Sequence, residues 1–101
     1  MNVLIADDEQ IVLEGLKYII DWNALGFTIC ATAVNGEEAL EKILALKPDL
    51  CLMDIKMPKK NGIEVVQAAV DQGYGGKFII LSGLSDFKMA QRSEEHTSEL
   101  Q

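Results

Sequence analysis

The 101-residue sequence has no apolar run near the ~18 residues a membrane-spanning helix needs, and its start lacks the basic-then-apolar pattern of a secretion signal. A cytoplasmic protein with no membrane segment is therefore expected. Basic residues are scarce: nine Lys and Arg face sixteen Asp and Glu, for a net charge of −7. That balance argues against direct binding of DNA, RNA or anionic lipid, which are held by clustered cations. Cysteine is limited to Cys30 and Cys51, each inside an apolar run and without CxxC spacing, so two buried, reduced thiols are expected. With 49% hydrophobic and 25% charged residues, the composition lies far from the disordered class, and the length allows one domain only.

What is present is a repeated alternation. Val3-Leu4-Ile5-Ala6 is an apolar run halted by Asp7-Asp8-Glu9, the pattern of a buried parallel strand reaching a polar edge. From Gln10 to Ile20, Val12, Leu16, Ile19 and Ile20 recur at helical spacing. The stretch "DWNALGF" supplies a turn before "TICATA", a second strand. Asn35-Gly36 opens a helix carrying Ala39, Leu40, Ile43 and Leu44 on one face, and Lys47-Pro48 ends it. "DLCLMD" (residues 49–54) is a third strand ending in a carboxylate. A loop, "IKMPKKNG", and a helix from Ile63 to about Gln72 follow. After "GYGG", "KFIILS" makes a fourth strand ending at Ser82, and "SDFKMAQ" begins another helix. Single helices between strands favour an α/β fold with a parallel sheet and right-handed crossovers.

In open sheets of this kind the ligand site lies beyond the carboxyl ends of the strands. Asp7, Asp8, Asp54 and Ser82 occupy three such ends. Clustered carboxylates repel one another, and a hard divalent cation on oxygen ligands relieves the repulsion, which points to Mg²⁺. A carboxylate beside Mg²⁺ can attack phosphorus, because the metal neutralises the incoming phosphoryl group. Asp54 suits the nucleophile, the adjacent Asp7 and Asp8 suit metal holding, and the Ser82 hydroxyl suits a phosphoryl oxygen.

The motifs "VLIADDEQIVLEGL", "PDLCLMDIKMPKKNGIEVV" and "FIILSG" together resemble the receiver domain of two-component response regulators, over residues 1–91. The resemblance implies a flavodoxin-like doubly wound sheet, ordered 2-1-3-4 here, without the fifth strand and fifth helix. It implies Asp54 as acceptor of a phosphoryl group from a histidine kinase. Asp7, Asp8, Asp54 and the Lys56 backbone carbonyl would be Mg²⁺ ligands, with Ser82 as the switch hydroxyl. In that strand order Cys30 and Cys51 are too far apart for a disulfide. Met57-Pro58 and Gly62 shape the loop after the acceptor. "YIIDWNALGF" resembles receivers that precede AraC-type DNA-binding domains, so the parent protein would regulate transcription and meet DNA only through that absent output domain. A homodimer through the receiver in the intact protein would fit the same resemblance.

The family's following Lys-Pro pair also has no counterpart, since Lys56, Lys59 and Lys60 lie on another loop. Residues 92–101, "RSEEHTSELQ", read codon by codon as a translation of a common sequencing-adapter oligonucleotide. They include His96, the only histidine, and are expected to be a non-native tail. Two other readings of the acids are an Mg²⁺-dependent aspartyl-phosphate phosphatase of the haloacid-dehalogenase type and a receiver-like interaction module that is never phosphorylated. The first calls for Asp-x-Asp at strand one, whereas Asp7 and Asp8 are adjacent. The receiver reading makes the chain a switch that modifies itself, not a turnover enzyme.

Overall fold

Four apolar runs pair edge to edge as one parallel sheet in the order β2-β1-β3-β4. The computed structural model describes residues 1–81. Ser82, the helix expected at "SDFKMAQ" and the 92–101 segment lie outside the described residues. The strands are β1 (Asn2–Ala6), β2 (Thr28–Ala33), β3 (Leu50–Asp54) and β4 (Lys77–Leu81). Between them run α1 (Gln10–Ile19), α2 (Gly36–Leu46) and α3 (Gly62–Asp71), giving the expected α/β alternation. No helix among the described residues is long and apolar enough to cross a membrane.

The order follows from which strands can be buried on both faces. β1 is fully buried from Val3 to Ala6, and β3 from Cys51 to Met53, so these two occupy the centre. β2 and β4 are only partly buried along most of their length. Alternation along the strands then splits the core in two. Leu4, Ala6, Cys51 and Met53 pack with Ala39 and Ile43 of α2 and with Val65 and Ala69 of α3. Val3, Ile5 and Leu52 pack on the other face with Leu13 of α1 and with Trp22. Trp22 closes the foot of α1: its indole N–H donates to the Leu16 carbonyl (3.1 Å), and its ring meets Phe27 edge-on.

The cysteine expectation needs one correction. Cys51 is buried, but Cys30 is only half-buried. The β1–β2 register shifts between Val3 and Leu4, which oppose Ile29 and Ala31, and Cys30 is the extra residue of that bulge. A residue displaced on an outer strand is not packed like one in a central strand. Both thiols are free, and β1 separates their strands.

Candidate functional site

The parallel register delivers the carboxylates to one place. Ala6, the last residue of β1, lies opposite Met53, so Asp7 emerges beside Asp54, the last residue of β3. The Asp7 amide donates to the Ala33 carbonyl at the end of β2 (3.0 Å), which fixes the chain as it leaves the sheet. One carboxylate oxygen from each of Asp7, Asp8 and Asp54 lies within 4.8 Å of the others. Asp7 is buried, Asp54 half-buried and Asp8 exposed, so the cluster opens to solvent on one side.

Asp7 also shapes the local chain. Its Oδ1 accepts the Glu9 amide (2.9 Å), an Asx-type turn that starts α1, while Glu9 itself makes no side-chain cap. Burial holds the Asp7 carboxyl above its ordinary pKa. The Glu9 amide opposes that rise, and the charges of Asp8 and Glu9 reinforce it. This donor set fits a hard divalent cation: three acidic oxygen donors converge, and at least one of them is desolvated at a cost that a cation would relieve.

Beyond Asp54 the chain makes a braced loop. The Ile55 amide donates to the Leu81 carbonyl (3.2 Å), and the Gly62 amide returns to the Ile55 carbonyl (2.7 Å). Lys56 is exposed within this loop, two residues past Asp54; Met57 is buried and anchors the loop in the α2–α3 core. Lys59 takes the left-handed conformation (φ 72°), so it, and not Gly62, makes the sharp turn. Gly62 has a different task from the turn-shaping expected of it. It is buried at the start of α3, where a β-carbon would come within 2.5 Å of the Asp54 carbonyl oxygen.

The structure thus brings Asp7, Asp8 and Asp54 together and places Lys56 on the adjoining loop. Ser82 lies outside the described residues. Sequence reasoning passed over the Asn61–Glu64 capping box, in which the Asn61 carboxamide accepts the Glu64 amide (2.8 Å) and Glu64 accepts the Asn61 amide (3.0 Å). Its signal, Asn-x-x-Glu before an apolar helix, was present in "NGIE".

A family model described as "Response regulator receiver domain" matches residues 3–98. The transcriptional regulatory protein YesN of Bacillus subtilis is 37% identical over 95 residues, covering 94% of this chain and 26% of YesN. The chain therefore spans about a quarter of the length of that relative. The REC domain of AraT, a response regulator from Geobacillus stearothermophilus, superposes with a TM-score of 0.83 at 36% identity, covering 93% of this chain and 73% of that one. A two-component AraC transcriptional regulator from Clostridium phytofermentans gives 0.80 at 33% identity, covering 91% and 71%. The likeness to AraC-type receivers carried by "YIIDWNALGF" is borne out by that last match, and the flavodoxin-like sheet by both structures.

Proposed function

The chain belongs to the response regulator receiver domain family, and from that premise we propose that Asp54 accepts a phosphoryl group from a phosphohistidine of a histidine kinase. The observation that carries the proposal is the convergence of Asp7, Asp8 and Asp54 within 4.8 Å at the ends of the two central strands. Asp54 closes β3 with its backbone held in the sheet and its carbonyl side braced by Gly62, so its carboxylate is aimed before a donor arrives.

Asp7 and Asp8, with Asp54 and the Lys56 backbone carbonyl, would hold Mg²⁺. The bound ion supplies charge neutralisation for the transferring phosphoryl group. The chain's own part is nucleophilic: an Asp54 oxygen forms a bond to phosphorus as the bond from phosphorus to the donor nitrogen breaks, and the imidazole leaves. Ser82 would then hydrogen-bond the phosphoryl oxygen and bias the domain between two conformations. In the parent protein that bias would act on a transcription-regulating, DNA-binding output domain and on a homodimer formed through the receiver.

The test is incubation with acetyl phosphate and Mg²⁺, followed by mass spectrometry. One acid-stable, hydroxylamine-labile phosphoryl group is expected on Asp54, absent without Mg²⁺ and absent in Asp54→Asn. Repeated turnover of a phosphomonoester, or modification that persists in Asp54→Asn, would refute the proposal.

A further inference from the structure

Gly36 is the first residue of α2, a position where alanine would favour the helix more than glycine does. The reason for glycine lies across the site, not in the helix. A β-carbon on Gly36 would overlap the carbonyl oxygen of Lys60, and would also press on the Lys60 carbonyl carbon and β-carbon. Most of that obstruction is backbone, which cannot swing aside as a side-chain tip can. The Gly36 amide donates to the Pro58 carbonyl (3.2 Å), and Pro58 also accepts the Lys60 amide (2.8 Å). The loop that carries Lys56 is thus seated directly on the first turn of α2.

That first turn is a stiff support. The Asn35 side chain accepts the Glu38 amide (2.8 Å), and the Glu38 carboxylate accepts the Val34 amide (2.7 Å). Lys59, held in its left-handed conformation, reaches the Glu37 carboxylate (3.8 Å) from the loop side. On the opposite flank the loop is closed by Gly62 against the Asp54 carbonyl. Residues 55–61 are therefore held between two close backbone approaches, one made by Gly62 and one by Gly36.

We infer that Gly36 is a positioning residue for the phosphoacceptor site: by letting α2 abut Lys60 it fixes the loop on which the Lys56 carbonyl is presented. The inference rests on the receiver reading of the Asp54 site. It differs from a helix-stability role in its consequence. Adding a methyl group at Gly36 displaces the loop and weakens metal-dependent phosphorylation, even though alanine suits the helix better. Linkage makes the coupling reciprocal: if the seat at Gly36 favours metal binding, metal binding must tighten the seat.

The experiment uses the full 101-residue chain, Gly36→Ala and, as a control, Gly75→Ala, whose added β-carbon meets nothing within 4 Å. Acyl phosphate formation from acetyl phosphate is followed across an Mg²⁺ titration. In Gly36→Ala the half-saturating Mg²⁺ concentration should rise roughly 10-fold, the lower end of what outer supports of metal ligands contribute. The rate at saturating Mg²⁺ should fall much less, and Gly75→Ala should match the parent chain. A folded Gly36→Ala with an unchanged Mg²⁺ midpoint overturns the inference. Amide exchange in the unmutated chain tests it without any variant: Mg²⁺ alone should slow exchange at Gly36 and leave Gln72, at the far end of α3, unchanged. An Mg²⁺-insensitive Gly36 amide overturns it too. A chain that takes no phosphoryl group, yet protects Gly36 when Mg²⁺ is added, would remove the phosphoacceptor reading and leave the loop seat standing.

Discussion

Asp7 shows how a single residue can serve a site at the expense of the fold. It is 6% exposed, beside two other acids, and burial raises its carboxyl pKa above the ordinary value. A carboxyl with a raised folded-state pKa stabilises the fold fully only below its unfolded pKa. That contribution is lost as pH rises through the folded-state value, so above that value ionised Asp7 is a burden on the metal-free protein. Asp7→Asn removes the charge and can keep the Oδ1 acceptor for the Glu9 amide. In metal-free buffer this variant should therefore be more stable by about 1 kcal/mol, within the range typical of relieved local strain or charge. Mg²⁺ at 100 times its dissociation constant should stabilise the parent chain by about 2.7 kcal/mol and the variant far less. Urea melts with and without Mg²⁺ should thus show the order of stability reverse. An Asp7→Asn chain that is the less stable of the two in metal-free buffer would show that burial of Asp7 is not a burden. The other buried ionisable group in the central strands has no such use. Burial pushes the Cys51 thiol up to about 11, with the Tyr74 hydroxyl opposing the rise, so it remains an unreactive core residue at neutral pH.

At the scale of elements, the loop after Asp54 and α3 form one mechanical unit, joined at Asn61 and Gly62. Asn61 caps α3 with both bonds of a capping box, and Gly62, the next residue, lies on the Asp54 carbonyl. Asn61→Ala should cost about 1 kcal/mol in stability, as loss of an N-cap usually does. It should also slow Asp54 phosphorylation at limiting Mg²⁺, because fraying of the first turn of α3 loosens the brace. A denaturant titration and a phosphorylation time course measure the two effects, and an unchanged time course would separate the cap from the site. The elements themselves were largely legible in the sequence: "TICATA" is β2 to the residue, and the acids read at the ends of β1 and β3 do converge, as the candidate site requires. Apart from the bulge at Cys30, the discrepancies are single residues at element ends and have local causes. Asp49, read as the start of β3, lies just before it and ties the entry of β3 to both neighbouring strands: its carboxylate accepts the Asn2 amide (2.6 Å) and its carbonyl the Lys77 amide (3.1 Å). Ile20, read as helical, is extended (φ −100°, ψ 126°) and leads into the Trp22 turn. What the sequence could not show were close approaches between distant segments. Nothing in "VNGEE" says that Gly36 will meet Lys60, because that contact exists only once β2, β1 and β3 lie side by side.

For the molecule as a whole, the two central strands carry both the core and the site. β1 and β3 supply most of the buried strand residues on both faces of the sheet, and their ends lead into Asp7, Asp8 and Asp54. Burial declines outward from them: Ile5 on β1 is 0% exposed and Leu52 on β3 is 5%, while Ile79, opposite Leu52 on β4, is 48% exposed. A graded stability follows, because burying apolar surface dominates the balance and outer elements open first. Ile5→Ala should cost about 2–5 kcal/mol, a large share of the roughly 5–15 kcal/mol available to a domain of this size. Ile79→Ala should cost about 1 kcal/mol or less, since half of its side chain already meets water. Equilibrium urea unfolding measures both, and native-state amide exchange should rank β1 and β3 as slowest, with β2 and β4 faster. Equal costs for the two substitutions, or uniform protection across the four strands, would show that stability is not concentrated in the centre. A graded result carries a functional consequence: the acid cluster is built on the strands that open last, so its geometry persists while the outer strands fluctuate, as the proposed metal site requires.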